Sequence, residues 1–229
     1  MDVGDGYAIL RGDEARHLAV VLRAAAGDIV SLSDGMGCCW QARVLRVTGD
    51  EVTFRLGALR RVPRPRPRLT VVHALPKGRK LDEVVQRLAE IGVDRLVPVR
   101  SARSEVQFEP GRAAKAVARW RAVALAAAKQ SRRAWLLDVG EVGTLPTALA
   151  QATHGVVLWE EATASLGHVC PLGGIDELVL GIGPEGGLTA DEVASAGLPA
   201  ASLGPTILRT ETAALVAASI VLHRLGRLA

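Results

Sequence analysis

The sequence predicts an α/β protein in which a small N-terminal β module precedes a larger domain built on a mostly parallel sheet. Three observations carry this reading. Before residue 60 the apolar residues fall in short alternating runs separated by turn dipeptides. After residue 69, strand-like apolar runs alternate with runs of helical spacing. Between the two lies a stretch of alternating Pro and Arg that suits neither state.

In the first part, residues 7–10, 29–32, 40–47 and 51–56 read as strands, with Asp34-Gly35 and Gly49-Asp50 as turns. One short helix fits between them, capped at Asp13, running through His17, Val20 and Val21, and stopping near Gly27. Residues 1–62 are thus expected to form a barrel-like β module. Residues 63–68, with Arg64, Arg66 and Arg68 between prolines, form a semi-rigid polyproline linker whose basic character begins at Arg60 and Arg61. Residues 69–229 form the α/β domain. Its strands are predicted at 69–75, 95–99, 155–159, 177–182 and 200–203, and its helices at 81–91, 112–129 and 211–224. Thr189-Ala190-Asp191-Glu192 has the form of a capping box that opens one more helix.

Composition bounds the function. With 49% hydrophobic residues the chain can bury a core, which excludes a disordered protein. Met1 opens onto Asp2 and Asp5 rather than a basic and then apolar leader, and no apolar run is long enough to span a bilayer, so a cytoplasmic protein without membrane contact is expected. The 3 cysteines show no CxxC spacing, so neither a disulfide framework nor a metal site is expected. The net charge of +4 hides an asymmetry: 11 Lys and Arg against 8 Asp and Glu in residues 1–68, 14 against 6 in 69–135, and 3 against 10 in 136–229. A basic half and an acidic half suggest a polyanion for one and a different ligand for the other. Of the 28 basic residues 24 are Arg, whose planar fork suits phosphate.

Gly181-Ile182-Gly183-Pro184-Glu185-Gly186 matches a GxGxxG pattern between a predicted strand and a helix. A dinucleotide would need bare backbone N–H groups at the helix start. Pro184 removes one, Glu185 places a negative charge where phosphates would lie, and no acid occurs between Glu192 and Glu211 to take a ribose hydroxyl. No Lys-Ser or Lys-Thr follows, so a phosphate-binding P-loop also fails. The remaining possibility is a tight turn beside a carboxylate, suited to a neutral or cationic nucleoside-like ligand. Downstream, Leu203-Gly204-Pro205-Thr206-Ile207-Leu208-Arg209-Thr210-Glu211-Thr212-Ala213 ends a strand at Gly-Pro and opens a helix on a Thr cap. Two Gly-Pro loops leaving adjacent parallel strands would meet beyond their carboxyl ends, where open α/β sheets bind ligands.

Together, Gly183-Pro184-Glu185-Gly186-Gly187 and the segment from Leu203 to Ala213 resemble the RsmE family, 16S ribosomal RNA (uracil-N3)-methyltransferases of the SPOUT class. The likeness extends to His17-Leu18 with Val21-Leu22-Arg23 and Gly27-Asp28, to Pro76-Lys77 with Glu90-Ile91-Gly92-Val93, to Ala102-Arg103-Ser104, to Gln130-Ser131 with Arg133, and to Glu160-Glu161-Ala162. The chain departs from the family pattern at Lys129 and Leu137, and it lacks the usual first strand ahead of residues 6–10. The resemblance implies a PUA-like RNA-binding β-barrel, then a mostly parallel sheet tied in a trefoil knot that holds S-adenosyl-L-methionine, in a homodimer that acts on 16S rRNA of the small ribosomal subunit. It implies cofactor contacts from Leu158, Glu160, Leu180, Gly181, Gly183, Pro184, Glu185, Gly186, Gly187, Leu203, Gly204, Leu208 and Thr210.

Methylation of uracil N3 requires loss of a proton and support for charge on the ring. Arg209 is the candidate to hold a uracil oxygen or an adjacent phosphate, the alternative being a salt bridge to Glu211 or Glu185. Glu211 is a candidate proton acceptor, or else a dipole-favourable residue at a helix start. No histidine is placed as a base; His73 reads as structural. RNA contacts are expected from His17, Arg23, Arg64, Arg66, Arg68, Lys77 and Arg103, and from Arg112, Lys115, Arg119 and Arg133 on the long helix. With 3% aromatic residues, recognition by shape and phosphate with one extruded base fits better than a stacking platform. A ribose 2′-O-methyltransferase of the same class and a non-catalytic RNA-binding assembly factor are the alternatives.

Overall fold

A computed structural model describes residues 2–105, 110–171 and 173–228. The chain divides into two compact units between Arg64 and Pro65. In the first, β1 (Asp2–Gly4), β2 (Tyr7–Arg11), β3 (Ile29–Ser33), β4 (Cys38–Val47) and β5 (Glu51–Arg61) form one antiparallel sheet in the order β1-β2-β5-β4-β3. Ala8, Ala42, Val44, Val52 and Phe54 fill its core face, and residues between them along the strands face outward, as the period of 2 requires.

Two details differ from the sequence reading. Residues 2–4, assigned no strand, pair with residues 7–9 at the sheet edge. The expected helix from Asp13 is one turn, α1 (Asp13–Arg16), continued by a wider π turn (His17–Val21) that ends at Arg23 with φ 52°. The wider turn directs Leu18 to the core but leaves Val20, Val21 and Leu22 more than 60% exposed. The apolar run therefore did not mark a continuous buried helical face.

The second unit is a parallel sheet with helices on both faces. Its elements are β6 (Arg68–Ala74), α2 (Lys80–Ile91), β7 (Arg95–Arg100), α3 (Pro110–Gln130), β8 (Asp138–Val139), β9 (Gly143–Thr144), α4 (Leu145–Leu149), β10 (Gly155–Leu158), α5 (Leu166–Val169), β11 (Glu177–Ile182), α6 (Ala190–Ser195), β12 (Ala200–Ala201) and α7 (Thr210–Arg224). The sheet order is β12-β10-β11-β6-β7-β8, and β9 continues the edge beside β7. Every pairing in this sheet is parallel. β11 therefore enters between β6 and β10, both of which precede it in the chain.

Strands buried on both faces are apolar throughout. In β6, Leu69 and Val71 face a cluster with α2, α3 and α7, and Val72 and Ala74 face a second cluster with α4 and α6. α2 ends at Gly92, whose φ of 107° closes the left-handed cap and turns the chain into β7. α6 opens on the expected capping box, with Thr189 and Glu192 bonding each other's backbone N–H. α3 is anchored where Trp120 Nε1 donates to Asp82 Oδ1 at 2.9 Å.

The carboxylate of buried Asp94 accepts from Leu69 N at 2.8 Å and from Arg227 at 2.9 Å, while Arg227 also donates to the carbonyls of Pro67 and Gly92. This ties the residues after α7 to the start of β6. Arg68, expected in the linker, begins β6, and Arg60 and Arg61 pair with Cys39 and Cys38 inside β5 and β4. Ladder hydrogen bonding claims both ends of the basic segment and shortens the irregular stretch. No helix among the described residues is long and apolar enough to cross a membrane.

Candidate functional site

The carboxyl ends of β10, β11 and β12 and the start of α7 enclose a cavity of about 320 Å³. Three stretches line it: residues 158–160 after β10, the turn after β11, and the ribbon from Ala201 to Ala213. The volume is within the range of small-ligand pockets.

Close packing selects glycine in the turn. A Cβ on Gly183 would lie 3.0 Å from Leu188 Cγ and 3.2 Å from the Gly187 carbonyl carbon. Gly187 has φ +71°, and a Cβ there would collide with the Glu160 carboxylate. Gly186 backs onto Arg103, which donates to its carbonyl at 2.8 Å. The turn's own backbone contributes one bond, Gly187 N to Pro184 O at 2.9 Å. Its remaining ties come from other elements.

One of these ties corrects the sequence reading. Thr210 is not the cap of α7; Arg209 holds that position, and no side chain caps the helix. The Thr210 hydroxyl instead donates across to Gly183 O at 2.5 Å, joining α7 to the glycine turn. Its oxygen also lies 3.4 Å from Nε2 of His73, which is fully buried. His73 Nδ1 is 2.6 Å from Ala74 O, and because a carbonyl only accepts, Nδ1 carries the proton. Burial lowers the His73 pKa from its ordinary value, against the raising influence of the Ala74 and Thr210 contacts and of Glu185 and Glu211. The neutral ring is a fixed internal strut, as its place in a strand suggested.

The carboxylate of Glu185 turns toward the start of α2. It accepts from Lys80 Nζ at 2.8 Å and from Lys77 N at 3.2 Å. Burial raises its pKa, but the hydrogen bond from Lys80 and the backbone donors prevail, so the net shift is downward. Glu211 is half-buried in the first turn of α7, and its Oε2 accepts no hydrogen bond among the described residues; Lys80 Nζ lies 3.9 Å away. Arg209 lines the cavity, is exposed, and forms no ion pair among the described residues, so the expected alternative of a bridge to Glu185 or Glu211 is not formed.

Of the residues expected to contact a cofactor, Leu158, Glu160, Gly183, Pro184, Glu185, Gly187, Leu203, Gly204, Leu208 and Thr210 line the cavity. Leu180, Gly181 and Gly186 do not, and Gly186 backs onto Arg103 instead. Leu180 belongs to the core, and a Cβ on Gly181 would meet Leu149 and Val157 within the domain. Strand alternation and burial take both away from the opening. Trp159, Leu188, Ala201 and Ser202 also line it and were missed; a position directly after an apolar strand end was the available signal for Trp159. Residues 203–208 make no backbone hydrogen bond to the protein among the described residues. Their peptide groups are free to meet a ligand.

The basic residues divide into two sets. His17, Arg23, Arg112 and Lys115 are exposed, as is Arg64. Others are engaged within the protein: Arg66 with Asp176, Lys77 with Glu105 at 2.6 Å, Arg119 with Asp82 at 3.0 Å, and Arg103 with Gly186. Arg133 is turned inward, donating to the carbonyls of Ala89 and Val93, and burial lowers its pKa. Arg68 is half-buried in β6 with its Nε lacking a hydrogen bond. No group of three or more His, Cys, Asp or Glu among the described residues is arranged to hold a metal ion.

Two family models match the chain: an RNA methyltransferase domain over residues 63–222 and an RNA methyltransferase PUA domain over residues 10–57. Ribosomal RNA small subunit methyltransferase E of Mycobacterium bovis is 38% identical over 93% of this chain and 85% of its own length. The protein of that name from Bacillus subtilis is 30% identical over 94% of this chain and 89% of its own. Among solved structures, ribosomal RNA small subunit methyltransferase E from Neisseria gonorrhoeae, bound to S-adenosyl methionine, superposes with a TM-score of 0.87 at 28% identity, covering 98% of this chain and 94% of that one. The glycine turn, the free peptide ribbon and the two matched domains lead to one assignment: the chain belongs to the ribosomal RNA small subunit methyltransferase E family.

Proposed function

We propose that this protein methylates small-subunit ribosomal RNA with S-adenosyl-L-methionine as methyl donor, at N3 of a uridine. The observation that carries the proposal is the cavity, where a ribbon of free peptide groups, residues 203–208, faces a turn whose packing and positive φ favour glycine. Its lining includes Glu160, Glu185 and one basic residue, Arg209. That donor set fits a nucleoside carrying positive charge and lacks a phosphate cradle. When bound, S-adenosyl-L-methionine supplies an electrophilic methyl group on a sulfonium.

The chain's own residues then divide the work. The peptide groups of residues 203–208 bind the adenine edge, and Glu160 offers its charge to the cationic end of the ligand. Arg209, unpaired within the protein among the described residues, is free to hold a uracil oxygen on which charge develops as N3 loses its proton. Glu211, with one carboxylate oxygen lacking a hydrogen bond, is the proton acceptor in this reading. His17 and Arg23 in the PUA-like unit, and Arg112 and Lys115 on α3, meet RNA phosphates. A homodimer in the cytoplasm, with active sites near the subunit interface, belongs to the same reading.

The test is methyl transfer from labelled S-adenosyl-L-methionine to small-subunit rRNA lacking the modification, followed by nucleoside analysis. N3-methyluridine is expected. A 2′-O-methyl nucleoside would replace the N3 assignment with ribose chemistry, and no cofactor binding at all would leave an RNA-binding assembly factor.

A further inference from the structure

We propose that Lys80, which does not line the cavity, is a positioning residue that shapes the cavity through Glu185. The inference concerns the site of the preceding section and rests on that reading for its functional consequence.

The glycine turn has little hold on itself. Pro184 has no N–H, and a single internal bond closes the turn. Three side chains of other elements fix the rest: Thr210 on the Gly183 carbonyl, Arg103 on the Gly186 carbonyl, and Lys80 on the Glu185 carboxylate, which also accepts from Lys77 N at 3.2 Å. The third differs from the others because it is ionic and reaches a further element. Lys80 is the first residue of α2, and its ammonium lies 2.8 Å from Glu185 on the cavity wall and 3.9 Å from Glu211 in the first turn of α7. One cation thus sits between two carboxylates carried by two chain segments that both line or adjoin the cavity. Without it the carboxylates repel, and only the Lys77 N–H still draws the turn toward the start of α2. The other charged or titratable groups near this cluster are Arg209 at the cap of α7, His73 on β6, and Lys77 and Arg103, which already hold Glu105 and the Gly186 carbonyl.

The role is positional because Glu185 touches the cavity and Lys80 does not. Its loss is therefore expected to act on ligand binding through the shape of the turn. Lys80→Arg keeps a cation in reach, whereas Lys80→Met removes it at similar length.

The experiment has two readouts on the full chain. The first is a carbon-detected titration of the Glu185 carboxyl group, assigned by its disappearance in Glu185→Gln. The second is calorimetry with S-adenosyl-L-methionine. In Lys80→Met the Glu185 midpoint is expected to move upward, because burial then acts without the opposing ammonium, and affinity is expected to fall about tenfold. Lys80→Arg is expected to restore both. Glu185→Gln should lose a similar factor, and the double variant no more than about twofold beyond either single one, because both remove one contact.

An unmoved Glu185 midpoint, or losses that multiply in the double variant, would overturn the proposal. If Lys80→Met fails to fold, the pair Lys80→Arg and Glu185→Gln decides: retained affinity in the first with loss in the second supports it, and equal affinity in both overturns it. Failure of the wild-type chain to bind S-adenosyl-L-methionine would overturn the functional reading instead, while the Glu185 titration would still decide whether Lys80 holds that carboxylate.

Discussion

Replacing Gly187 with Ala separates fold stability from ligand binding in one position. Gly187 has φ +71°, and an added Cβ would run into the Glu160 carboxylate. The left-handed backbone costs an L-residue about 1–2 kcal/mol. That strain is present with and without ligand, so it lowers stability without changing affinity. In a chain of this length it corresponds to a fall in Tm of about 2–8 °C. Affinity changes by a different route. Glu160 is exposed and has no hydrogen-bond partner among the described residues, so its carboxylate swings aside at little cost. The cavity then loses an anion facing a cationic ligand in an open site, a contact worth about 1 kcal/mol and hence about fivefold in Kd. Differential scanning calorimetry and titration calorimetry with S-adenosyl-L-methionine read the two effects apart. Glu160→Gln should reproduce the loss of affinity without the loss of stability. A Gly187→Ala variant that binds about fivefold more weakly beside an unaffected Glu160→Gln would refute the route through Glu160.

Arg209→Ala is expected to lower kcat by about 10²–10³-fold while leaving Tm and the Kd for S-adenosyl-L-methionine nearly unchanged, since the side chain has no protein partner among the described residues; single-turnover assays and calorimetry check the two halves. His73 is buried with its pKa below the ordinary 6.5, so the unfolded chain takes up a proton that the folded one refuses as pH falls below about 6.5. Stability should therefore decline toward acid there, by at most about 1.4 kcal/mol per pH unit from this group, and His73→Gln should flatten that decline in urea titrations run at several pH values. Asp94→Ala removes the carboxylate that holds Arg227 and Leu69 N in the interior, with an expected loss of about 3–5 kcal/mol, visible as a lower urea midpoint at constant slope. Asp94→Asn, which keeps an acceptor for Leu69 N, should lose less.

Where the physics is local, sequence reasoning went far. The apolar run at 177–182 identified a strand at its true bounds, and Thr189 with Glu192 identified the capping box that forms. Pro184 and Glu185, which spoke against a phosphate ligand, line a cavity with Arg209 as its one basic lining residue among those described. Reasoning failed where a polar side chain chose a distant partner. Arg119 follows Arg112 and Lys115 at helical spacing and Arg133 was expected to extend that helix, yet α3 ends at Gln130, Arg119 pairs with Asp82, and Arg133 turns to the carbonyls of Ala89 and Val93. Spacing places a charge on a helix face but does not say whether another element covers that face. Thr210 looked like a cap because Thr favours that position, and its hydroxyl went instead to a carbonyl 27 residues away in the chain.

By itself the sequence determined the class of protein and the place of the candidate site: short-range sterics at Gly and Pro, and the periods of apolar residues, oblige two strand-end loops and a parallel sheet. Only the tertiary structure decided that β11 lies between β6 and β10, that Lys80 meets Glu185 across 105 residues, and that Arg209 stays free while its neighbours pair. These choices depend on finding partners for most buried polar groups and filling both faces of the sheet at once. That is a property of the whole domain, and no local stretch of chain encodes it.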